Sequence, residues 1–219
     1  MSRRFYMNCK NRQALRFVVV TFAFLMLALA GHTQSEGAYA RAIKKHRRHY
    51  KKEFLKEERS PLNRAGVKEL RFFPPDERYR VSCTFERTPD AEAFDMATYS
   101  GITKPYVKYG AATFQLKGQT LRLAVYQSLQ LRQMPMYRDY LFIPFKDPTN
   151  GEETYGGGRY MDIRMSDIRD GELTLDFNKA YNPYCAYSDG YNCPIPPEEN
   201  HLDIPVEAGE MGYKKHEEK

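Results

Sequence analysis

Two periodicities divide the chain. Between residues 38 and 59, Tyr39, Ile43, Tyr50 and Phe54 recur at helical spacing among mostly charged positions, which predicts one amphipathic helix. Glu53 stands three residues from Lys56, which gives modest i,i+3 support, and Ser60-Pro61 is expected to stop the helix. From Phe72 onward the period becomes two. Tyr79, Val81, Cys83 and Phe85 alternate with Arg80, Ser82 and Thr84, the pattern of a half-buried strand. Phe114 and Leu116 lead into Lys117-Gly118-Gln119, and Leu121, Leu123 and Val125 alternate after it, which predicts a hairpin. Further strands are expected at 106–109, 141–145, 160–165, 172–177 and 202–207. Short strands separated by Gly, Pro, Asn and Asp point to a mainly β fold, an antiparallel barrel or sandwich-like single domain with one N-terminal amphipathic helix.

The beginning of the chain follows other rules. Residues 1–16 are basic, and residues 17–30 (FVVVTFAFLMLALA) are apolar. Fourteen residues are short for a bilayer span but suit the core of a signal peptide, and Ala28-Leu29-Ala30 supplies the small-x-small cleavage pattern. The alternative is an uncleaved membrane anchor; both put the body in an extracytoplasmic location, periplasmic or secreted. The expected organisation is a signal peptide at 1–30, a linker and basic amphipathic helix at 31–60, a β domain at 61–212 and a charged tail at 213–219.

Charge changes the picture of partners. The 219 residues carry a formal charge of +6, but residues 41–59 hold nine basic and three acidic side chains, whereas 60–219 hold 20 and 24. The β body is therefore not a nucleic-acid surface. The basic helix at 40–59 is expected to pack its apolar stripe on the body, with weak membrane-surface contact as the alternative.

Candidate chemistry is sparse. Of five histidines only His201 lies in the expected β body, so a three-histidine metal site is not available there and a nucleophile–histidine arrangement would have to use His201. Cys185 and Cys193 bracket a turn-rich loop, a disulfide candidate in an oxidising compartment; two free thiols and two metal ligands are the alternatives. Cys83, alternating with apolar neighbours, reads as a core residue. The string from Thr154 to Asp162 contains three consecutive glycines followed by Arg159. It reads either as an anion-binding corner of backbone N–H groups plus Arg159, or as a bulged start to a strand with Arg159 paired internally to Asp162 or Asp176. Residues 147–152 have calcium-like ligand types without the spacing of a calcium loop, and read as a turn. Asp176 and Asn178 would share one face of a strand leading to an Asn182-Pro183 turn.

Several strings together resemble a known family. ERSPL (58–62), FFPPDERYRV (72–81), TKPYVKYGAATFQLKGQ (103–119), YRDYLFIPFKDPTNGEETYGGGRYMD (137–162), LDFNKAYNPYCAYSDGYNCPIPPEEN (175–200) and EAGE (207–210) are similar to the DUF1684 family, in its shorter form. The resemblance spans about residues 54–211. It implies one domain, marks the Gly-Gly-Gly-Arg-Tyr and Asn-Pro-x-Cys…Cys-Pro strings as defining, and supplies no activity.

The expected function is thus an exported β-rich binding or structural module. Its polar corner, drawn from Asn150, Tyr155, Gly157, Arg159, Tyr160, Asp162, Asp176, Asn178 and Asn182, would hold a small anionic ligand or an envelope partner. The alternative is a hydrolase-like or metal-assisted enzyme using Asp162 or Asp176 with Arg159. No cofactor is expected; a metal at Cys185 and Cys193 is the alternative reading of that pair.

Overall fold

The computed structural model describes residues 37–214. The expected signal segment at 1–30, residues 31–36 of the linker and residues 215–219 of the tail lie outside the described residues. The chain divides into two compact units, Met1–Ala42 and Ile43–Lys219. Residues 37–42 of the first are helical and begin helix α1, which spans 37–54.

In the second unit α1 buries Ile43 and Phe54 and half-buries Tyr50, leaving Lys44, Lys45, Arg48 and Lys52 exposed. Phe54 packs edge-on against Tyr187, and Arg47 donates to Phe73 O at 2.8 Å. The helix stops at Phe54, short of Ser60-Pro61, because the next stripe positions are Glu57 and Glu58, which cannot follow Phe54 into an apolar contact. The chain tightens there into turns such as Leu55 N–H to Lys52 O. A short helix α2, Arg64–Lys68, follows; Asn63 caps it by accepting from the amides of Ala65 and Gly66 and Val67 anchors it.

The body is a curled half-barrel, one antiparallel sheet of seven strands. These are β1 (Arg80–Arg87), β2 (Ala93–Ala97), β3 (Thr103–Leu116), β4 (Gln119–Ser128), β5 (Tyr140–Phe145), β6 (Arg159–Arg164) and β7 (Glu172–Asp176). Their order is β6-β5-β4-β3-β1-β7, with β2 on β3. The expected hairpin is β3–β4: Lys117 at φ 50° and Gly118 at φ 78° form the two-residue left-handed turn that matches strand twist. The strands expected separately at 106–109 and 114–116 are one strand, β3, with a bulge between Lys108 and Gly110. A Cβ on Gly110 would lie 2.4 Å from Glu86 O, so only glycine fits the crossing.

One expected strand is absent. Residues 202–207 are not a strand, although Leu202, Ile204, Val206 and Ala208 are buried in the main core with Val81, Phe114, Val125, Ile143, Phe145 and Phe177. Their alternation is real, but side chains take up backbone groups that a neighbouring strand would otherwise bond. Arg159 donates to Val206 O at 2.8 Å and to Ala208 O, and Asp147 accepts from Val206 N–H at 3.2 Å.

A second substitution of side chain for strand occurs between β4 and β5, which share the single pair Tyr126–Phe142. Beside it the fully buried Asn200 accepts from Ala124 N–H at 2.7 Å and donates to Ala124 O at 2.9 Å and Pro144 O at 2.7 Å. Its amide acts as a peptide unit wedged into the sheet.

The outer face of β3–β6 is apolar as well. Met96, Tyr106, Ala124, Tyr126, Phe142 and Tyr160 form a second cluster there, joined by Tyr140 and Tyr181. A strand such as β5, with Leu141 and Ile143 on one face and Phe142 on the other, is buried on both sides.

Candidate functional site

Strand β6 separates the residues expected to converge. Arg159 lies on the face of Met161 and Ile163, inside the half-barrel, whereas Tyr160 and Asp162 lie on the other. Residues three apart on a strand point oppositely, so Arg159 and Asp162 cannot share a corner. Arg159 has no exposed surface and pairs with Asp147 at 2.7 Å, not with Asp162 or Asp176. Its guanidinium is enclosed by this chain, so the anion-binding corner is closed.

The other members of that corner are mostly structural. Asn150 closes the 147–154 turn through Asp147 N–H at 2.8 Å, Thr154 Oγ1 at 2.8 Å and Tyr155 O at 3.1 Å. A Cβ on Gly157 would lie 2.3 Å from the Tyr155 ring and 2.5 Å from Tyr99 Oη; this glycine accommodates protein rings. Asn178 staples Asp76 through both its amide atoms, and Asn182 donates from its backbone to Glu210 and from its side chain to Met211 O. Asp176 Oδ1 accepts from the Asn178 backbone and side chain at 3.1 Å each.

Tyr160 and Asp162 instead face a cleft of about 630 Å³. Its walls come from β3 (Lys104, Tyr106), β5 (Tyr140, Phe142), β6, α1 (His46, Tyr50), the 179–184 segment and the disulfide loop at 191–194. The rings form a connected lining: Tyr106–Phe142 at 6.0 Å, Phe142–Tyr160 at 4.7 Å, Tyr160–Tyr181 at 5.9 Å and Tyr181–Tyr50 at 6.0 Å between centroids. Tyr160 Oη is tied to Pro194 O, which fastens the disulfide loop to the sheet.

Asp162 is the anchor of this cleft. Tyr140 and Tyr181 both donate to its Oδ1, each at 2.7 Å, and no described residue donates to Oδ2. The residue stays open to solvent on the cleft side while protein walls it elsewhere. That enclosure raises its carboxyl above the ordinary Asp range against the pull of the two phenols and Arg164. Burial, with Asp162 adding to it, pushes the Tyr106 phenol up to about 12. Burial and Lys179 lower the His46 imidazole. A smaller polar cleft of about 380 Å³ runs between the edges of β6 and β7 and shares Asp162 and Lys179 with the first; Asp176 lines it.

Cys185 and Cys193 are joined in a disulfide with a Cα–Cα distance of 6.3 Å, which closes the loop forming one wall. Among the described residues no group of three or more His, Cys, Asp and Glu side chains could hold a metal. Cys83 is a buried thiol pushed up to about 12 by burial. No described helix is long and apolar enough to cross a membrane.

The sequence pattern missed Tyr140, Tyr181, Phe142 and Tyr106. The available signal was the two-faced apolar character of β5, where Tyr140 and Phe142 interleave with Leu141 and Ile143. It also missed Glu210, fully buried, which accepts from Tyr50 at 2.9 Å, Tyr187 at 2.7 Å and Asn182 N–H at 3.0 Å.

Fold and site together define a class: a curled antiparallel half-barrel filled by its own C-terminal segment, with a tyrosine-lined cleft on its outer face. The chain belongs to the DUF1684 family, described as a protein of unknown function, which matches residues 65–211. A solved structure similar to it is the solution NMR structure of an uncharacterized protein of Haloarcula marismortui. The two are 33% identical, with 84% of this chain and 99% of that chain covered at a TM-score of 0.64. No curated protein matches the chain.

Proposed function

We propose that the chain is a binding module for a small ligand, held at Asp162 in the tyrosine-lined cleft, and that it works outside the cytoplasm. The observation carrying this reading is the pair of phenols, from two separate segments, spent on one carboxylate oxygen at 2.7 Å each. They fix the carboxylate in orientation and leave its second oxygen for a donor. Folding gains little from an open carboxylate that its surroundings push toward neutrality, which makes such a group a site candidate. The anchor is anionic, so the ligand presents a donor or a positive charge to it, not the anion that an Arg159 corner would have taken.

Export is supported by the basic-then-apolar start of the chain and by the disulfide. The exposed Lys44, Lys45, Arg48 and Lys52 of α1 support weak contact with anionic lipid, a secondary part of the proposal. An enzyme using Asp162 as a general base is the second reading, and the raised carboxyl favours it. Arg159, on the opposite face, has no part in it.

The test is a ligand-observed NMR screen of a small-metabolite library against the wild type and Asp162→Asn. Compounds that bind the first and not the second are expected. A library with no Asp162-dependent binder overturns the reading, and product signals appearing over time would favour the enzyme.

A further inference from the structure

We propose that the cleft takes a small organic ammonium ion, its charged head seated against the aromatic rings and Asp162. The inference rests on the cleft being a ligand site and adds the class of ligand.

Three features point to it. Asp162 lacks a dedicated counter-ion. The cation acting on it, Arg164, is bound to Asp139 at 2.7 Å and to Met136 O at 2.9 Å, and no described residue donates to Asp162 Oδ2. The rings around the carboxylate also stand at steep angles. Phe142 meets Tyr160 at 74°, and Tyr160 meets Tyr181 at 88°. In these edge-to-face pairs Phe142 and Tyr160 are buried and serve as the wall behind the half-buried Tyr140 and Tyr181, whose rings stand beside the carboxylate on the cleft side, where an ion would meet them. Finally, one of these two rings carries no protein cation. Of the half-buried rings, Tyr140 has Arg164 5.8 Å from its centre, and among the described residues no Lys or Arg sits over Tyr181.

A divalent metal is poorly served here, since a hard ion asks for several oxygen ligands and the described residues provide no cluster of them. An alkylated ammonium needs few, because its charge is spread over a weakly hydrated surface that aromatic faces solvate well. Lys104, Lys179, His46 and Glu57 also line the cleft; Lys104 donates to Asn192 O at 2.7 Å, and Glu57 accepts from Tyr184 Oη. A ligand with a carboxylate at the end away from its ammonium head answers both signs, so a zwitterion is favoured over a bare ammonium.

Glycine betaine, tetramethylammonium, acetate and N-acetylglucosamine are the probes, titrated separately into the disulfide-intact protein and followed by NMR. Glycine betaine is expected to bind saturably, with tetramethylammonium weaker and acetate weakest. Its methyl protons are expected to show nuclear Overhauser contacts to tyrosine ring protons in the wild type, a readout independent of any variant. Asp162→Asn is expected to lower betaine affinity at least tenfold with unfolding temperature unchanged. Failure of both ammonium probes to bind, or equal betaine binding by a folded Asp162→Asn, overturns the proposal. N-acetylglucosamine or acetate binding in an Asp162-dependent way, with the ammonium probes silent, also overturns the ammonium assignment but leaves the cleft as a ligand site. A wider library without Asp162-dependent binders removes the site itself.

Discussion

Arg159 and Asp147 form an ion pair at 2.7 Å with neither side chain exposed to solvent. Asp147 is held in turn by Thr149, whose N–H and Oγ1 donate to it at 2.9 and 2.6 Å. Removing one partner of such a pair leaves a buried charge uncompensated, a loss of about 3–5 kcal/mol. Arg159→Met is expected to lose that much in urea unfolding, and Arg159→Met with Asp147→Leu to recover part of it. An Arg159→Met protein as stable as the wild type would show that the pair does not hold the C-terminal segment.

Glu210 carries the clearest pH signature. Burial raises its carboxyl from 4.5 to about 7 against the bonds from Asn182, Tyr187 and Tyr50. The folded state then binds the proton more tightly than the unfolded chain, so this group makes stability fall as pH rises from about 4.5 through 7, by about 3 kcal/mol in all. Unfolding free energies of wild type and Glu210→Gln between pH 5 and 8 check this. The wild type should show the steeper decline; parallel curves would contradict the assignment.

Hydrogen bonds to the ionised form lower a carboxyl pKa, and Asp162 receives two. Tyr140→Phe and Tyr181→Phe are each expected to raise the Asp162 carboxyl further, and the double variant to raise it more than either. Carbon-13 NMR titration of the carboxyl carbon reads this directly, while a shift downward in either variant would break the argument.

The disulfide closes a short loop, with Cys185 and Cys193 eight residues apart. In the chain-entropy picture such a loop contributes about 2.5 kcal/mol. The double Cys185→Ser, Cys193→Ser variant is expected to lose about that amount, with weaker binding of any cleft ligand, since Pro194 and Asn192 line the wall. Unfolding by denaturant and a ligand titration on the same samples separate the two effects.

Much of the sheet was legible because strands such as β1 and the β3–β4 hairpin obey a period of two that burial imposes. The helix was legible for the same reason, except for its end, where charged positions interrupt the stripe earlier than Ser60-Pro61 suggests. Residues 202–207 differ because alternation reports which side is buried, and says nothing of whether backbone groups are bonded by a strand or by Arg159 and Asp147. The candidate corner failed for a related reason. Closeness along β6 brought Arg159 and Asp162 together in the sequence, but strand parity parts them. The cleft was illegible because Tyr140 and Tyr181 reach Asp162 from segments with no local spacing in common.

The wedge formed by Asn200 has a consequence for biosynthesis. The seam between β4 and β5 is completed by Asn200, far downstream of both strands, and Arg159 awaits Val206 and Ala208, which emerge later still. A nascent chain that stops before Asn200 therefore holds an incompletely sealed sheet and an arginine without its carbonyls. Folding of the sheet is closed by the 200–208 segment, and quality control that reads exposed sheet would distinguish a chain that carries this segment from one cut before it.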